Sequence, residues 1–343
     1  MRKPNFDNLL AVLRCEIPER PTLFEFFLNA PLYRKLAGPE MSDSAEKLAQ
    51  YRLLIHAFKN AGYDYATVQG SEFCFPAGPA ESKATRSIND GAVISDRASF
   101  EAYNWMDPDD CDYSGLQQIA GEVPDGMKLI VFGPGGVLEN VFFLVGYENL
   151  CYMVLDEPDL AQDIFDAVGS RLVRHYEIAS EFDAVGALIS NDDWGFKTQT
   201  MLAPEDMRKF VFPWHKKIAE AIHKSGKPAI LHSCGYFDEV MEDVITDMKY
   251  DGKHSYEDGI LSVEDSYERW VGRIAILGGI DLDFICRSTP KAVHERSLAM
   301  LARAAARGGY ALGTGNSVPE YVPDAGYFAM LSAATGDKYE GLA

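Results

Sequence analysis

The sequence predicts an α/β protein built as a (β/α)8 TIM barrel. Eight short apolar or β-branched runs recur along the chain, and stretches with helical spacing separate them. The length of 343 residues suits one barrel domain with insertions, and no linker divides the chain. We therefore expect residues 1–343 to form a single domain.

The eight runs give the predicted strands in chain order. They are Thr22–Phe27, Tyr63–Gln69, Lys128–Phe132, Ala187–Asn191, Pro228–His232, Gly252–Ser255, Ile274–Ile280 and Tyr310–Leu312. The helical stretches carry their own signals, as in Ala203–Lys224, where Pro204 and an acidic first turn precede an apolar stripe and Gly226 follows the end. Asp159–Phe182 and Pro290–Arg307 are predicted helices of the same kind.

An insertion of about residues 70–127 separates the second and third predicted strands by more than a usual βα loop. Its aromatic residues are Phe73, Phe75, Phe100, Tyr103, Trp105 and Tyr113. Two interpretations stay open. The insertion is either a partial lid with apolar walls for a substrate pocket or an element that packs on the barrel exterior.

The composition excludes several classes of partner. With 52 acidic and 32 basic residues the formal charge is −20, which repels nucleic acid and anionic membranes. The apolar runs are too short to span a bilayer, and charged residues interrupt the N-terminal segment where a signal peptide would be apolar. The six cysteines form no CxxC pair. We expect a cytoplasmic protein with a small-molecule substrate. A homodimer is compatible with the sequence.

The glycine-rich turns do not predict a nucleotide site. Gly133–Gly136 and Gly313–Gly315 follow strands but complete neither GxGxxG nor GxxxxGK[ST]. Their absence favours group transfer or lyase chemistry on a small molecule.

The strongest candidate for chemistry is the end of the fifth predicted strand, where His232 and Cys234 lie two residues apart before Gly235. Alternate strand residues share a face, so both side chains can converge at the barrel mouth. Imidazole and thiolate are preferred zinc ligands, and Glu257 at the next strand end is the predicted third ligand. The alternatives are a core histidine beside a buried cysteine and, for Glu257, a solvated carboxylate.

Carboxylates follow two other predicted strands. Asp192 and Asp193 are adjacent, so one is expected to enter the site while the other caps a helix or orients a neighbour. Asp281 is placed similarly and is predicted as a polar wall or a partner of site residues.

From about residue 185 to the end, the chain resembles the uroporphyrinogen decarboxylase superfamily, which includes zinc-dependent methyltransferases of corrinoid systems. The matching stretches are NDDWG at 191–195, MLAP at 201–204, HSCG at 232–235, LGGID at 277–281 and GTGNSVPEYVP at 313–323. The decarboxylase carries an arginine-rich segment after its first strand, whereas here residues 21–31 contain no arginine. The resemblance therefore favours the methyltransferase branch over haem biosynthesis.

That branch holds zinc with His-x-Cys-Gly and a later cysteine. His232 and Cys234 match the first part, but Asn316 stands where the later cysteine falls. A similar pattern in cobalamin-independent methionine synthase places a glutamate near Glu257. The resemblance thus implies Zn²⁺ on His232, Cys234 and Glu257, and a corrinoid supplied by a separate partner protein.

The resulting prediction is a methyltransferase that moves a methyl group between a small methylated substrate, or a thiol or folate acceptor, and the cobalt of that partner. The alternatives are a metal-independent decarboxylase or lyase acting on a small carboxylate, and a non-catalytic binding subunit. The predicted catalytic residues are Asp192, Asp193, His254 and Asp281, and the predicted substrate contacts are Glu72, Asn191, Tyr256 and Asn316.

Overall fold

The computed structural model describes residues 2–41, 44–78, 91–337 and 339. Its centre is a parallel sheet in which seven strands of the described residues follow one another in sequence order. They are β1 (Tyr65–Gln69), β2 (Lys128–Phe132), β3 (Val185–Asn191), β4 (Ala229–His232), β5 (Gly252–His254), β6 (Ala275–Leu277) and β7 (Tyr310–Ala311). Seven predicted strands are thereby confirmed, and the fold is α/β.

Helices precede the sheet and connect its strands. In the described residues they are α1 (Asp7–Leu13), α2 (Ala30–Ala37), α3 (Lys47–Ala61), α4 (Arg97–Ala102), α5 (Ser114–Ile119), α6 (Val137–Val145), α7 (Tyr147–Asp156), α8 (Pro158–Ser180), α9 (Pro204–Asp206), α10 (Phe212–Lys224), α11 (Val263–Trp270), α12 (Leu282–Arg287), α13 (Pro290–Ala304) and α14 (Asp324–Thr335). The predicted helices at 159–182 and 290–307 are confirmed as α8 and α13. None of the described helices combines the length and the apolarity needed to cross a bilayer.

Shorter helical turns fill several connections. Within the part of the chain that the structure describes, 3-10 turns lie at Pro108–Asp110, Ala120–Glu122 and Asp238–Val240, and π-helical turns lie at Met207–Val211 and Asp243–Met248. The first π-helical turn joins α9 to α10, so the helix predicted over 203–224 is one stretch with a widened turn. Pro213 has no backbone N–H, and the regular hydrogen-bond ladder therefore cannot continue through it.

The predicted strand Thr22–Phe27 is corrected by the structure. Toward β7 this segment forms a parallel bridge between Leu23 and Leu312. Toward β1 its bonds come from side chains: the Tyr65 hydroxyl donates to the Glu25 carbonyl at 2.7 Å, and the Thr67 hydroxyl donates to the Phe26 carbonyl at 2.5 Å. Side chains thus occupy the backbone groups that a regular ladder to β1 would need.

The sheet register brings the site residues together. Asn191 at the end of β3 lies beside His232 at the end of β4, and His232 lies beside His254 at the end of β5. In a parallel sheet these carboxyl ends share one edge, so three strands contribute to one place.

The insertion at 70–127 packs largely on the outer flank of α8. Trp105 lies under the Arg171 guanidinium, 4.9 Å from its ring centre, and the Tyr113 hydroxyl is 2.8 Å from Nδ1 of His175. Residues 79–90 of the insertion lie outside the described residues. Both interpretations of the insertion, the lid and the exterior element, stay predictions.

Candidate metal centre

Three potential metal ligands meet at the carboxyl ends of β3 and β4. One carboxylate oxygen of Asp193, one ring nitrogen of His232 and Sγ of Cys234 lie within 4.8 Å of one another. Nε2 of His232 is 3.5 Å from Sγ of Cys234. Zinc bonds of about 2.3 Å to sulfur and about 2.0 Å to nitrogen, at a tetrahedral angle, give an N to S separation of about 3.5 Å. This pair is already spaced for zinc.

Two glycines let the loops carrying these ligands touch. Gly235 has a φ of 82°, and a Cβ there would lie 1.8 Å from the carbonyl oxygen of Gly195. With both side chains reduced to hydrogen, the backbone N–H of Cys234 donates to the Asp193 carboxylate at 3.1 Å. The close approach of the loops therefore aims Asp193 at Cys234.

Hydrogen bonding fixes which nitrogen of His232 is free. The carbonyl of Thr314 accepts from Nε2 of His254 at 3.3 Å, so Nε2 carries the hydrogen of that ring. Burial lowers the pKa of His254 to about 3 and holds the pKa of His232 well below its usual value, so both rings are neutral. Nδ1 of His254 then accepts from Nδ1 of His232 at 2.8 Å. The lone pair on Nε2 of His232 faces Cys234, as a metal ligand requires.

The thiol of Cys234 is protonated unless a cation is present. Burial, followed by the charge of Asp193, raises the pKa of this thiol. The Asn316 side-chain amide donates to its sulfur at 3.2 Å, while the Asn316 oxygen accepts from the N–H of Ser317 at 2.7 Å. Asn316 is therefore oriented as a donor that supports a thiolate, and a bound cation would remove the thiol proton.

The predicted third ligand, Glu257, is corrected in its placement. Three residues beyond β5 it lines a separate pocket with Lys197, Asp258 and Asp281. The chain has already turned at Tyr256, whose N–H donates to the Gly315 carbonyl at 2.9 Å. Asp193, and not Glu257, lies within 4.8 Å of the potential ligand atoms of His232 and Cys234.

The adjacent carboxylates after β3 have different surroundings. Asp192 is fully buried and accepts from the backbone N–H groups of Leu138 and Glu139 and from Nε2 of His215, at 2.8 to 2.9 Å. Asp192 therefore fixes the first turn of α6. Asp193, by contrast, lies with His232 and Cys234 in the cluster of potential metal ligands, which we call the metal group. This is the division that the sequence analysis expects of two adjacent carboxylates, and the predicted catalytic role of Asp192 stays a prediction.

Four other predicted site residues lie away from the metal group. His254 stands behind His232, and Asp281 caps α12 by accepting from the N–H of Phe284 at 2.9 Å. Glu72 accepts from the N–H of Asp112 at 2.9 Å, and Tyr256 is buried against Phe237. None of the four is among the described residues that line the pocket above the ligands, and their predicted catalytic and substrate-binding roles stay predictions.

The metal group forms part of the floor of a pocket of about 410 Å³. Its apolar lining residues are Phe26, Phe27, Leu282, Pro319 and Tyr321, and its polar ones are Glu139, Asn191, Asp193, His232, Cys234, Asn316 and Ser317. Phe26 contacts the His232 ring with 4.7 Å between ring centres. The predicted contacts Asn191 and Asn316 therefore do face the pocket.

Sequence reasoning missed two titratable residues near the site, Glu139 and Lys253. Burial, followed by Asp192 and Asp193, raises the pKa of Glu139 to about 8. Burial lowers the pKa of Lys253 to about 7, and its Nζ donates to the carbonyls of Ser233 and Ser255. The available signal for Glu139 was its place three residues after Gly136, where it closes a helix-capping pair behind β2.

Comparisons with known proteins show the family to which this chain belongs. A sequence model described as uroporphyrinogen decarboxylase (URO-D) matches residues 81–336. The chain belongs to the URO-D family. A uroporphyrinogen decarboxylase of Anaeromyxobacter dehalogenans (strain 2CP-C) is 25% identical over 88% of this chain and 90% of that protein.

This URO-D family member is also similar to two methyltransferases. A methylated-thiol–coenzyme M methyltransferase of Methanosarcina mazei is 23% identical, over 45% of this chain and 40% of that protein. A solved methyltransferase structure from Methanosarcina mazei superposes with a TM-score of 0.71 at 14% identity, covering 98% of this chain and 99% of the other. The structural likeness extends over the whole fold.

Proposed function

We propose that this URO-D family member is a zinc-assisted methyltransferase that moves a methyl group between a small substrate and the cobalt of a separate corrinoid protein. The observation that carries the proposal is the convergence of Asp193, His232 and Cys234 at the floor of one pocket. Three protein ligands with a pocket above them are the usual arrangement of a catalytic zinc site. The methyltransferase relatives support the same direction.

The donor set fits zinc. It combines a thiolate-forming cysteine, a neutral imidazole with its lone pair directed at the cysteine, and a carboxylate. When bound, zinc would supply Lewis acidity, which lowers the pKa of a thiol or polarises a leaving heteroatom. The protein residues would do the rest: His254 orients His232, Asn316 donates to the Cys234 sulfur, and Phe26 covers the His232 ring.

The decarboxylase alternative meets an electrostatic obstacle. A carboxylate substrate needs cationic partners, and neither lysine nor arginine is among the described residues that line the pocket. Asp193 and Glu139 line it instead, and neither offers a counter-charge to a carboxylate substrate. The methyl-transfer proposal does not require an anionic substrate.

We also propose that residues 22–27 close the sheet into a barrel. The bridge from Leu23 to β7 and the side-chain bonds from Tyr65 and Thr67 of β1 support this, because they join both edges of the sheet to one segment.

Methyl transfer from free methylcobalamin tests the function. The purified full chain, loaded with zinc, is expected to transfer the methyl group to 2-mercaptoethanol, followed by loss of methylcobalamin absorbance and by mass spectrometry of the thioether. Removal of zinc should slow the reaction at least about 100-fold, because Lewis acidity contributes several kcal/mol to such steps. Equal rates with and without metal would contradict the proposal.

A further inference from the structure

We propose that the pocket selects a thiol or thioether whose far end carries an ammonium group, in preference to one with a sulfonate or carboxylate. This inference rests on the proposed function and names its substrate class. It follows from three features of the pocket: two acceptor side chains, one of them without a hydrogen-bond partner, the absence of lysine and arginine among its described lining residues, and an aromatic wall beside the metal group.

The acceptors come from β3 and α6. The side-chain oxygen of Asn191 is buried and has no hydrogen-bond partner in the described part of the structure. The Glu139 carboxylate accepts from the backbone N–H of Gly136 at 3.0 Å and lines the same pocket. Each oxygen of the Glu139 carboxyl group has more than one lone pair, so Glu139 can also accept from a ligand, and an ammonium group beside it would favour its carboxylate form. A buried oxygen left unpaired is costly, and a ligand rich in N–H donors would satisfy both groups.

The two lysines near the site, Lys253 and Lys197, have other partners or line another pocket. Lys253 is fully buried and directs its Nζ to the carbonyls of Ser233 and Ser255 and to the ring of Phe237, 3.4 Å from the ring centre. Lys197 lines the separate pocket with Glu257. No lysine or arginine is among the described lining residues, so a sulfonate or carboxylate would lose its hydration without gaining a counter-charge.

The aromatic wall suits a cation. Phe27 lies 4.9 Å from Phe26 between ring centres, and Phe26 lies 4.7 Å from His232, so the wall runs directly from the metal group. Tyr321 lines the same pocket and is 70% exposed. Ring faces attract ammonium groups through their quadrupole, most strongly where water is excluded. A sulfur over His232 and Cys234 would leave the far end of a two-carbon chain in the pocket that this wall and Glu139 line.

Three thiols that differ at one end test the proposal: 2-aminoethanethiol, 2-mercaptoethanol and 2-mercaptoethanesulfonate. Binding to the full chain is measured by calorimetry on zinc-loaded, dialysed protein, or on metal-free protein if it retains no zinc. The aminothiol should bind at least about tenfold more tightly than the neutral thiol, and the sulfonate at least about tenfold more weakly, as expected for one gained or one unfavourable charged contact.

An amine is itself a zinc ligand, so the aminothiol would bind more tightly if its nitrogen bound the metal. The decisive quantity is therefore the ratio of the affinities for the aminothiol and the neutral thiol, compared between variants. In Glu139→Gln the preference for the aminothiol over the neutral thiol should fall about tenfold. The matched control is Glu320→Gln, because Glu320 is exposed and outside the lining residues; it should keep the preference. Preference for the sulfonate, equal binding of all three thiols, no binding of any, or an unchanged ratio in Glu139→Gln would each overturn the inference. If the order holds but no thiol is methylated, the proposed function fails and this inference stands.

Discussion

Replacing Cys234 with alanine is expected to remove both zinc binding and methyl transfer. A thiolate is the strongest zinc donor in the proposed set, and its loss leaves one imidazole and one carboxylate. Changes to groups that merely orient a ligand lower metal affinity by about 10-fold to 100-fold, so loss of this ligand should cost at least about 100-fold. Competition with a chelating dye measures the affinity, and the methylcobalamin assay measures transfer.

Cys151→Ala is the matched control, because Cys151 lies on α7 and outside the pocket lining. It should bind zinc and transfer methyl groups as the unaltered protein does. If Cys234→Ala kept its zinc and its activity, Cys234 would be a structural residue and the metal mechanism would be wrong.

Asp192→Ala and Asp193→Ala are expected to fail in different ways although the residues are neighbours. Asp192→Ala strands the His215 ring and two N–H groups of α6 in the interior, so the free energy of unfolding should fall by about 3–5 kcal/mol. Asp193→Ala removes a hydrogen bond from the N–H of Cys234 and should cost about 1 kcal/mol. The metal affinity should fall most in Asp193→Ala.

Urea unfolding followed by tryptophan fluorescence separates the two variants, since Trp194 is buried beside both positions. Each variant controls for the other. Equal losses of stability, or full zinc affinity in Asp193→Ala, would contradict the assignment of Asp193 to the metal group and of Asp192 to the support of α6.

The sequence was sufficient for residues whose position depends on one strand. His232 and Cys234 share a face because they lie two residues apart at a strand end, and the structure brings them together with an N to S distance of 3.5 Å. Seven of the eight predicted strands could likewise be predicted locally, because an apolar run marks each of them. The helices at 158–180 and 290–304 were equally readable from their periodicity.

Residues whose position depends on contacts between loops could not be predicted. Asp193, instead of Glu257, lies beside His232 and Cys234 because the backbones of Gly195 and Gly235 approach each other closely, and neither local sequence predicts that contact. Glu139 lines the pocket from the first turn of α6, and its backbone N–H donates to the Asp192 carboxylate, which holds that turn against the end of β3. The segment 22–27 has the composition of a strand, but tyrosine and threonine side chains of β1 take its hydrogen bonds.

Titration with Co²⁺ tests the central claim most directly, because the ion replaces zinc and its absorption spectrum reports its ligands. The full chain should bind one equivalent and develop both a sulfur-to-metal charge-transfer band and the intense visible bands of a four-coordinate site. The charge-transfer band should be absent from Cys234→Ala. Failure of the unaltered protein to bind Co²⁺ saturably, or a spectrum without a thiolate contribution, would contradict a metal centre built from Asp193, His232 and Cys234.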